Sequence, residues 1–286
     1  MDFFITAIIL GLSLSVMGLG IFMSMKIFNI PDITTDGSYT LGAVITAIML
    51  VNNISFFIII PTVFIAGAIS GCITAFIHTK FKIDALLAGI LTMTALYSIN
   101  LIILGRSNQP LINTQNIFSI NLFQNQIYNS LTLILIIITI IVLGLTFILK
   151  TDFGIAMRAT GNNAQMVRAL GIDDDKMKIF GLAIANALTA FAGFLVAQYQ
   201  AFADINMGIG IVITGLGSVL IADALKKLFK LNGILWQIIF VIFSCVLFQL
   251  VLALTLSLGI NPNLLKLITA FFVLFIVGIT RFRKIA

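Results

Sequence analysis

The run LTLILIIITIIVLGLTFIL, residues 131–149, carries no charge, and its only polar side chains are Thr132, Thr139 and Thr146. Coiled into an α-helix it is about 28 Å long, close to the thickness of a bilayer's hydrocarbon core. A strand of an outer-membrane barrel needs polar residues at alternate positions to line its lumen, and this run has no such alternation. What it does permit is a helix that satisfies its own backbone hydrogen bonds in lipid. The rest of the chain is of the same kind. Of its 286 residues 60% are hydrophobic and 9% are charged, whereas soluble domains carry roughly a quarter charged residues.

Nine apolar segments are predicted, at 3–25, 37–51, 56–77, 83–104, 128–149, 179–199, 207–225, 234–258 and 264–280. The expected fold class is all-α: a polytopic helical membrane protein of eight to ten transmembrane helices, forming one transmembrane domain over residues 1–286. The first segment lacks a basic n-region and a small-residue cleavage site, so it reads as a retained span. The second is short and opens with Thr35-Asp36-Gly37-Ser38, a helix-start cluster in which Asp36 is expected to cap that helix. The seventh holds Gly208, Gly210, Gly215 and Gly217, the composition of a broken or closely packed helix. Cys72 and Cys245 each sit inside an apolar run, which implies no disulfide framework.

Against this background one polar island stands out, residues 150–178, KTDFGIAMRATGNNAQMVRALGIDDDKMK. With the island on the cytoplasmic side and the spans alternating from it, 14 of the 16 Lys and Arg residues fall on that side, and only Arg106 and Lys266 fall opposite. That asymmetry is the positive-inside pattern. It accounts for the net charge of +6 as a topology signal toward membrane lipids, with no nucleic-acid partner required. Within the island, Asp152 is expected to cap a short helix ending at Gly161, and Asn162 or Asn163 to cap a second that runs to Leu170, with Gly171 at its C′ position. Met166, Val167 and Leu170 give the second helix a narrow apolar face, and Asp173, Asp174 and Asp175 stand at the positive start of the next span. Two readings stand: a knob that fits a groove on a partner, or a surface hairpin lying on lipid headgroups. On the other face, the nearly uncharged loop 105–127 is either a connector or a surface for an extracytoplasmic partner.

Polar residues inside spans are costly and therefore informative. Thr94, Tyr97, Ser98 and Asn100 form one group, Asn186 and Thr189 another, and Gln198, Gln200, Asn206, Thr214 and Gln249 complete the set. Most such residues make interhelical hydrogen bonds; Thr94, Tyr97, Asn100, Gln198, Asn206 and Thr214 are the candidates for the substrate path. His78, beside Lys80, reads as a solvated end. Enzyme chemistry finds little to work with. The chain has no glutamate, a single histidine, no G-x-S-x-G and no phosphate-binding G-x-x-x-x-G-K-[ST]. No catalytic residue, metal site or cofactor is expected, and nothing resembles a repeated selectivity filter. An ion-driven secondary transporter is the nearest rival, but Asp84 and Asp223 lie near span ends and no other aspartate is read as central to a span. A faint internal echo, DGSYTLGAVITAI against NMGIGIVITGLGS, hints at duplicated halves.

The stretch GIAMRATGNNAQMVRALGI followed by GLAIANALTAFAGFL resembles the coupling segment of ABC-importer permeases of the branched-chain amino acid and ribose class. Gly154, Ala156, Arg158, Ala159, Gly161, Asn163, Ala169, Gly171 and Ile172 fit that family's pattern, while the Glu-Ala-Ala motif of other importers is missing. IPDITTDGSYTLGA and RSNQPLINTQNIF resemble a subgroup associated with tryptophan or tyrosine uptake. The resemblance runs from about residue 7 to 280. It implies a complex of two permeases, as a homodimer, with two cytoplasmic ATPase subunits and an extracytoplasmic substrate-binding protein, in a bacterial plasma membrane. It also implies that Gly154, Arg158, Ala159, Gly161, Asn162, Asn163, Met166, Val167, Arg168, Leu170 and Gly171 form the ATPase-coupling surface. The implied cargo is a small solute, an amino acid and more narrowly an aromatic one, with sugars and nucleosides as the alternative.

Overall fold

The computed structural model describes residues 2–112, 114, 117–120, 123–231, 233–261 and 264–285. Each of the nine predicted apolar segments contains a helix. These are α1 (Asp2–Phe22), α2 (Thr34–Val51), α3 (Phe56–Lys80), α4 (Ala85–Leu104), α5 (Gln126–Lys150), α8 (Asp174–Gln200), α9 (Ile211–Phe229), α10 (Ile234–Ser257) and α11 (Leu265–Ile285). The island supplies α6 (Asp152–Asn162) and α7 (Ala164–Ala169). Residues 113, 115, 116, 121 and 122 of the 105–127 loop lie outside the described residues, as do the side chains of Lys266, Arg281, Arg283 and Lys284. Polar residues start the helices where the chain turns. Ser55 accepts from the Phe57 amide, Asp84 from Leu86, Asn125 from Ile127 and Asp173 from Lys176, each satisfying a donor that the first turn leaves open.

Six of the described helices are long and apolar enough to cross a membrane: α1, α3, α4, α5, α8 and α10. The central one is α8, which packs against α1, α2 and α3. Glycine makes this contact possible. A Cβ on Gly20 of α1, Gly42 of α2 or Gly71 of α3 would collide with a carbonyl of α8, and one on Gly193 of α8 would collide with the Tyr39 carbonyl. Small residues let helix backbones meet in this way where lipid offers no hydrophobic drive to associate. A second layer joins α1 to α10 and α10 to α9, with α11 against α9.

Lys26 and Lys80 lie at the island's end of the bundle, where Lys80 pairs with Asp175 at 3.4 Å and Lys26 pairs with Asp223. At the opposite end, two short strands, β1 (Asn108–Pro110) and β2 (Phe202–Asp204), pair antiparallel with Asn108 opposite Asp204 and Pro110 opposite Phe202. The sequence predicts loop at both places.

The largest departure from expectation is where α2 and α9 begin. After α1 the chain makes one π-helical turn (Met23–Ile27) and then an irregular strap that reaches α2 at Thr34. Asp32, in that strap, accepts from the Thr34 amide at 2.9 Å and from Asn186 Nδ2 at 2.7 Å. Asn186 is twelve residues into α8, about 18 Å along a helix of about 40 Å, so α2 starts inside the body. Asp36 does not cap α2. Its two carboxylate oxygens accept from the Gly210 and Val212 amides at 2.8 and 2.9 Å, so it caps α9 instead. Asp32 and Asp36 are therefore buried in the interior, which corrects the reading that no aspartate is central. The internal echo pairs unlike positions: Gly42 lies inside α2, while Gly210 is the left-handed N-cap of α9.

Candidate functional site

The island folds as a two-helix knob, with some of its parts redistributed. Thr151, not Asp152, is the N-cap of α6; its side chain accepts from the Gly154 amide at 3.3 Å. Gly161 does not end that helix. It lies within α6 with its backbone against the Ile27 carbonyl, where any Cβ would collide. Asn163 caps α7, accepting from Met166 N at 3.0 Å. Gly171 takes φ +81 beyond the Leu170 C-cap, and the Ile172 amide returns to the Val167 carbonyl at 3.2 Å, the left-handed termination that glycine allows.

The expected apolar stripe divides in two. Val167 is 1% exposed and anchors α7 inward, while Met166 and Leu170 are 62% and 68% exposed. Arg158 is half-buried with Nε toward the Gly154 carbonyl, Ala159 is half-buried, and Gly154 is buried against Leu149. Asn162 is exposed. Arg168 is committed to structure: Nε lies 2.6 Å from Asp174 Oδ1 and Nη2 donates to Oδ2 at 3.0 Å. Lys178 reaches the same carboxylate at 2.9 Å. The hydrogen bond to Asp174 holds the Arg168 guanidinium above its ordinary range, and the Lys176 amide holds the Asp173 carboxyl below its own. A forked guanidinium on a buried carboxylate fixes orientation as well as distance, so α7 is pinned to the start of α8. Arg168→Ala is expected to loosen the knob, raising its limited-proteolysis rate severalfold, while Arg168→Lys restores only part of the protection because lysine lacks the fork. Equal rates for the three chains would refute the pin.

The six path candidates do not converge. Thr94 and Tyr97 lie on the exposed face of α4, together with Ser98. Asn100 turns inward and donates to the Gly37 carbonyl at 3.2 Å, and its Oδ1 is buried with no partner among the described residues. Gln198 is spent on structure, accepting from the Ile117 amide at 2.8 Å. Asn206 is exposed in the turn before α9, and Thr214 is half-buried with its hydroxyl on the Ile211 carbonyl. An opening of about 450 Å³ near the strand end is lined instead by Thr6, Gln126, Ser130, Tyr199, Gln200 and Phe202. Of these only Gln200 had stood out in the sequence, because the others sit at span ends where polar residues are unremarked.

A sequence model of the family described as branched-chain amino acid transport system, permease component, matches residues 3–278. The chain belongs to this permease family. It is 39% identical to a tyrosine transport system permease protein of Clostridioides difficile over 91% of this chain and 85% of that one. An uncharacterized protein of Rickettsia prowazekii is 37% identical over 94% of both chains. A probable branched-chain amino acid transport permease of Methanocaldococcus jannaschii is 29% identical over 68% of this chain and 65% of its own length. This permease is accordingly a multi-pass protein of the bacterial cell membrane, of a class that serves ABC importers. For a permease, the groups that sequence reasoning undervalued are the exposed Asn29 and the buried Asp32 and Asp36, which join the knob, α8 and α9 to one strap. The only local signal was Pro31, which forbids a continuous helix there.

Proposed function

We propose that this permease is the translocation subunit of an importer for an aromatic amino acid, handed over by an extracytoplasmic binding protein. In this reading two copies of the chain form the pathway, and the knob faces the cytosol to dock one ATPase subunit per copy. The observation that carries it is the exposed pair Met166 and Leu170 on a base pinned by Asp174 and backed onto Ile27. An apolar pair on a braced support is what a groove-binding anchor requires; a hairpin resting on headgroups needs no such bracing. The 39% identity to a protein named for tyrosine transport favours the aromatic cargo, and the exposed Tyr97 and Thr94 on α4 suit a face turned to a second copy rather than to lipid.

Met166→Asp with Leu170→Asp is expected to weaken ATPase association by roughly tenfold or more, measured by co-purification, with insertion and monodispersity unchanged. Val167→Asp is the wrong probe, since it unfolds α7 from within. Reconstitution with the binding protein then names the cargo: ATP turnover should rise with L-tyrosine or L-tryptophan and not with L-leucine or ribose. Uptake driven by an ion gradient in the absence of any ATPase would favour the secondary-transporter alternative.

A further inference from the structure

The strap between α1 and α2 touches the knob, α8 and α9. At its start, Lys26 pairs with Asp223 near the far end of α9. Next, Ile27 and Phe28 meet the knob and α8, because Gly161 backs onto the Ile27 carbonyl and Gly181 onto the Phe28 ring. Asn29 follows, at φ +55, and its Nδ2 donates to the Gly161 carbonyl at 3.0 Å. A left-handed backbone at a non-glycine residue is tolerated best by asparagine, aspartate and histidine, and here the conformation aims the side chain at the knob. Asp32 then ties the strap to α8 through Asn186, and Asp36, one turn into α2, holds the start of α9 through two amides. Ser38 Oγ, 2.7 Å from Asn186 Oδ1 and 2.8 Å from Ser70 Oγ, continues the polar chain into α3.

We infer that this strap is the route by which displacement of the knob reaches the in-membrane mouth of α9, with Asn29 and Asp36 as positioning residues at its two ends. Charge and geometry both fit that role. The contacts at the knob end are backbone-close and leave no slack, and those at the α9 end use both oxygens of one carboxylate, so a shift at Gly161 is passed on rather than absorbed. Gly208 and Gly210, which flank Ile209 immediately before α9, give the mouth its freedom to follow: Gly208 packs on the Asp36 carbonyl and Gly210 takes φ +81. The inference rests on the docking role proposed for the knob and adds the path from it.

The test uses the complete transporter in nanodiscs, with Ile209→Cys as a reporter. Ile209 is 46% exposed in the turn before α9, so a cysteine there is within reach of a maleimide. Trapping with ATP and vanadate should change the labelling rate on the order of tenfold, within the usual range of coupling between sites. Asn29→Asp sets a carboxylate oxygen against the Gly161 carbonyl while keeping the backbone conformation. It should cut that change to under about twofold and leave ATPase co-purification intact. Asn29→His, which restores a donor and tolerates the same φ, should recover the response; a merely structural asparagine would show no such pattern. A full ATP-dependent change in Asn29→Asp overturns the route, and so does loss of ATPase association in that variant, which would place Asn29 in docking. Failure of the unaltered chain to retain its ATPase would sink the docking role itself, and this inference with it.

Discussion

Gly42→Val is expected to leave almost no folded permease in the membrane. Gly42 presses α2 against the Ala190 backbone of α8, so close that even one methyl would overlap the carbonyl oxygen, carbon and Cα. Backbone atoms cannot rotate away as the tip of a side chain can. Relief therefore demands that α2 back off from α8 along its length, opening the contacts of Gly193 with Tyr39 and of Ser38 with Asn186. Overpacking in a dense interior costs about 1–3 kcal/mol where neighbours can adjust, and here they cannot, so the loss exceeds that range. Size-exclusion chromatography of the solubilised chain measures it as loss of the monodisperse peak. Gly144→Val is the control, because nothing lies within 4 Å of a Cβ built there. A monodisperse Gly42→Val chain would mean that α2 and α8 do not meet as described.

Asp32→Ala is the second large expected effect. It removes the acceptor for the Thr34 amide and for one N–H of Asn186 Nδ2, whose other N–H stays on the Leu182 carbonyl at 3.1 Å, and so strands two buried N–H groups in a region without bulk water. Hydrogen bonds to charged groups contribute about 1.5–3 kcal/mol each, and an orphaned buried partner costs about 1–3 kcal/mol. Interhelical bonds in membranes run lower, at roughly 0.6 kcal/mol on average. A total of about 2–4 kcal/mol follows, read as a fall in melting temperature in detergent. The double variant Asp32→Ala, Asn186→Leu should lose less than the sum of the two singles, since it leaves fewer donors stranded. Strict additivity would show that the Asp32–Asn186 bond contributes nothing of its own.

How far the sequence could be read depended on the distance to the partner. Apolar runs announce spans because each run meets lipid or other helices wherever it goes, so all nine segments could be located. Asn163 and Gly171 were legible because a cap and a left-handed C′ residue act within four positions of themselves. Gly161 looks like the same kind of stop signal, yet its role is to lack a side chain next to Ile27, which lies far back in the chain. Asp36 looks like a local cap and serves a helix whose N-cap lies 174 residues later. Val167 shares spacing with Met166 and Leu170, but helical periodicity alone could not say that α7 rests on its Val167 side. The two strands were missed because three residues each, Asn108–Pro110 and Phe202–Asp204, are too short for any alternation to register.

The glycine contacts around α8 have a consequence for motion. A rod bedded on bare main chain along three of its sides can neither swivel about its axis nor slide lengthwise, because either movement would carry carbonyl oxygens off the bare glycines and into neighbouring side chains. The quartet of α1, α2, α3 and α8 must therefore tilt as a single block, carrying with it the knob and the start of α9 that the strap fixes to it, and a labelling survey of this transporter should find its hinges at the seams with α10 and the remainder of α9.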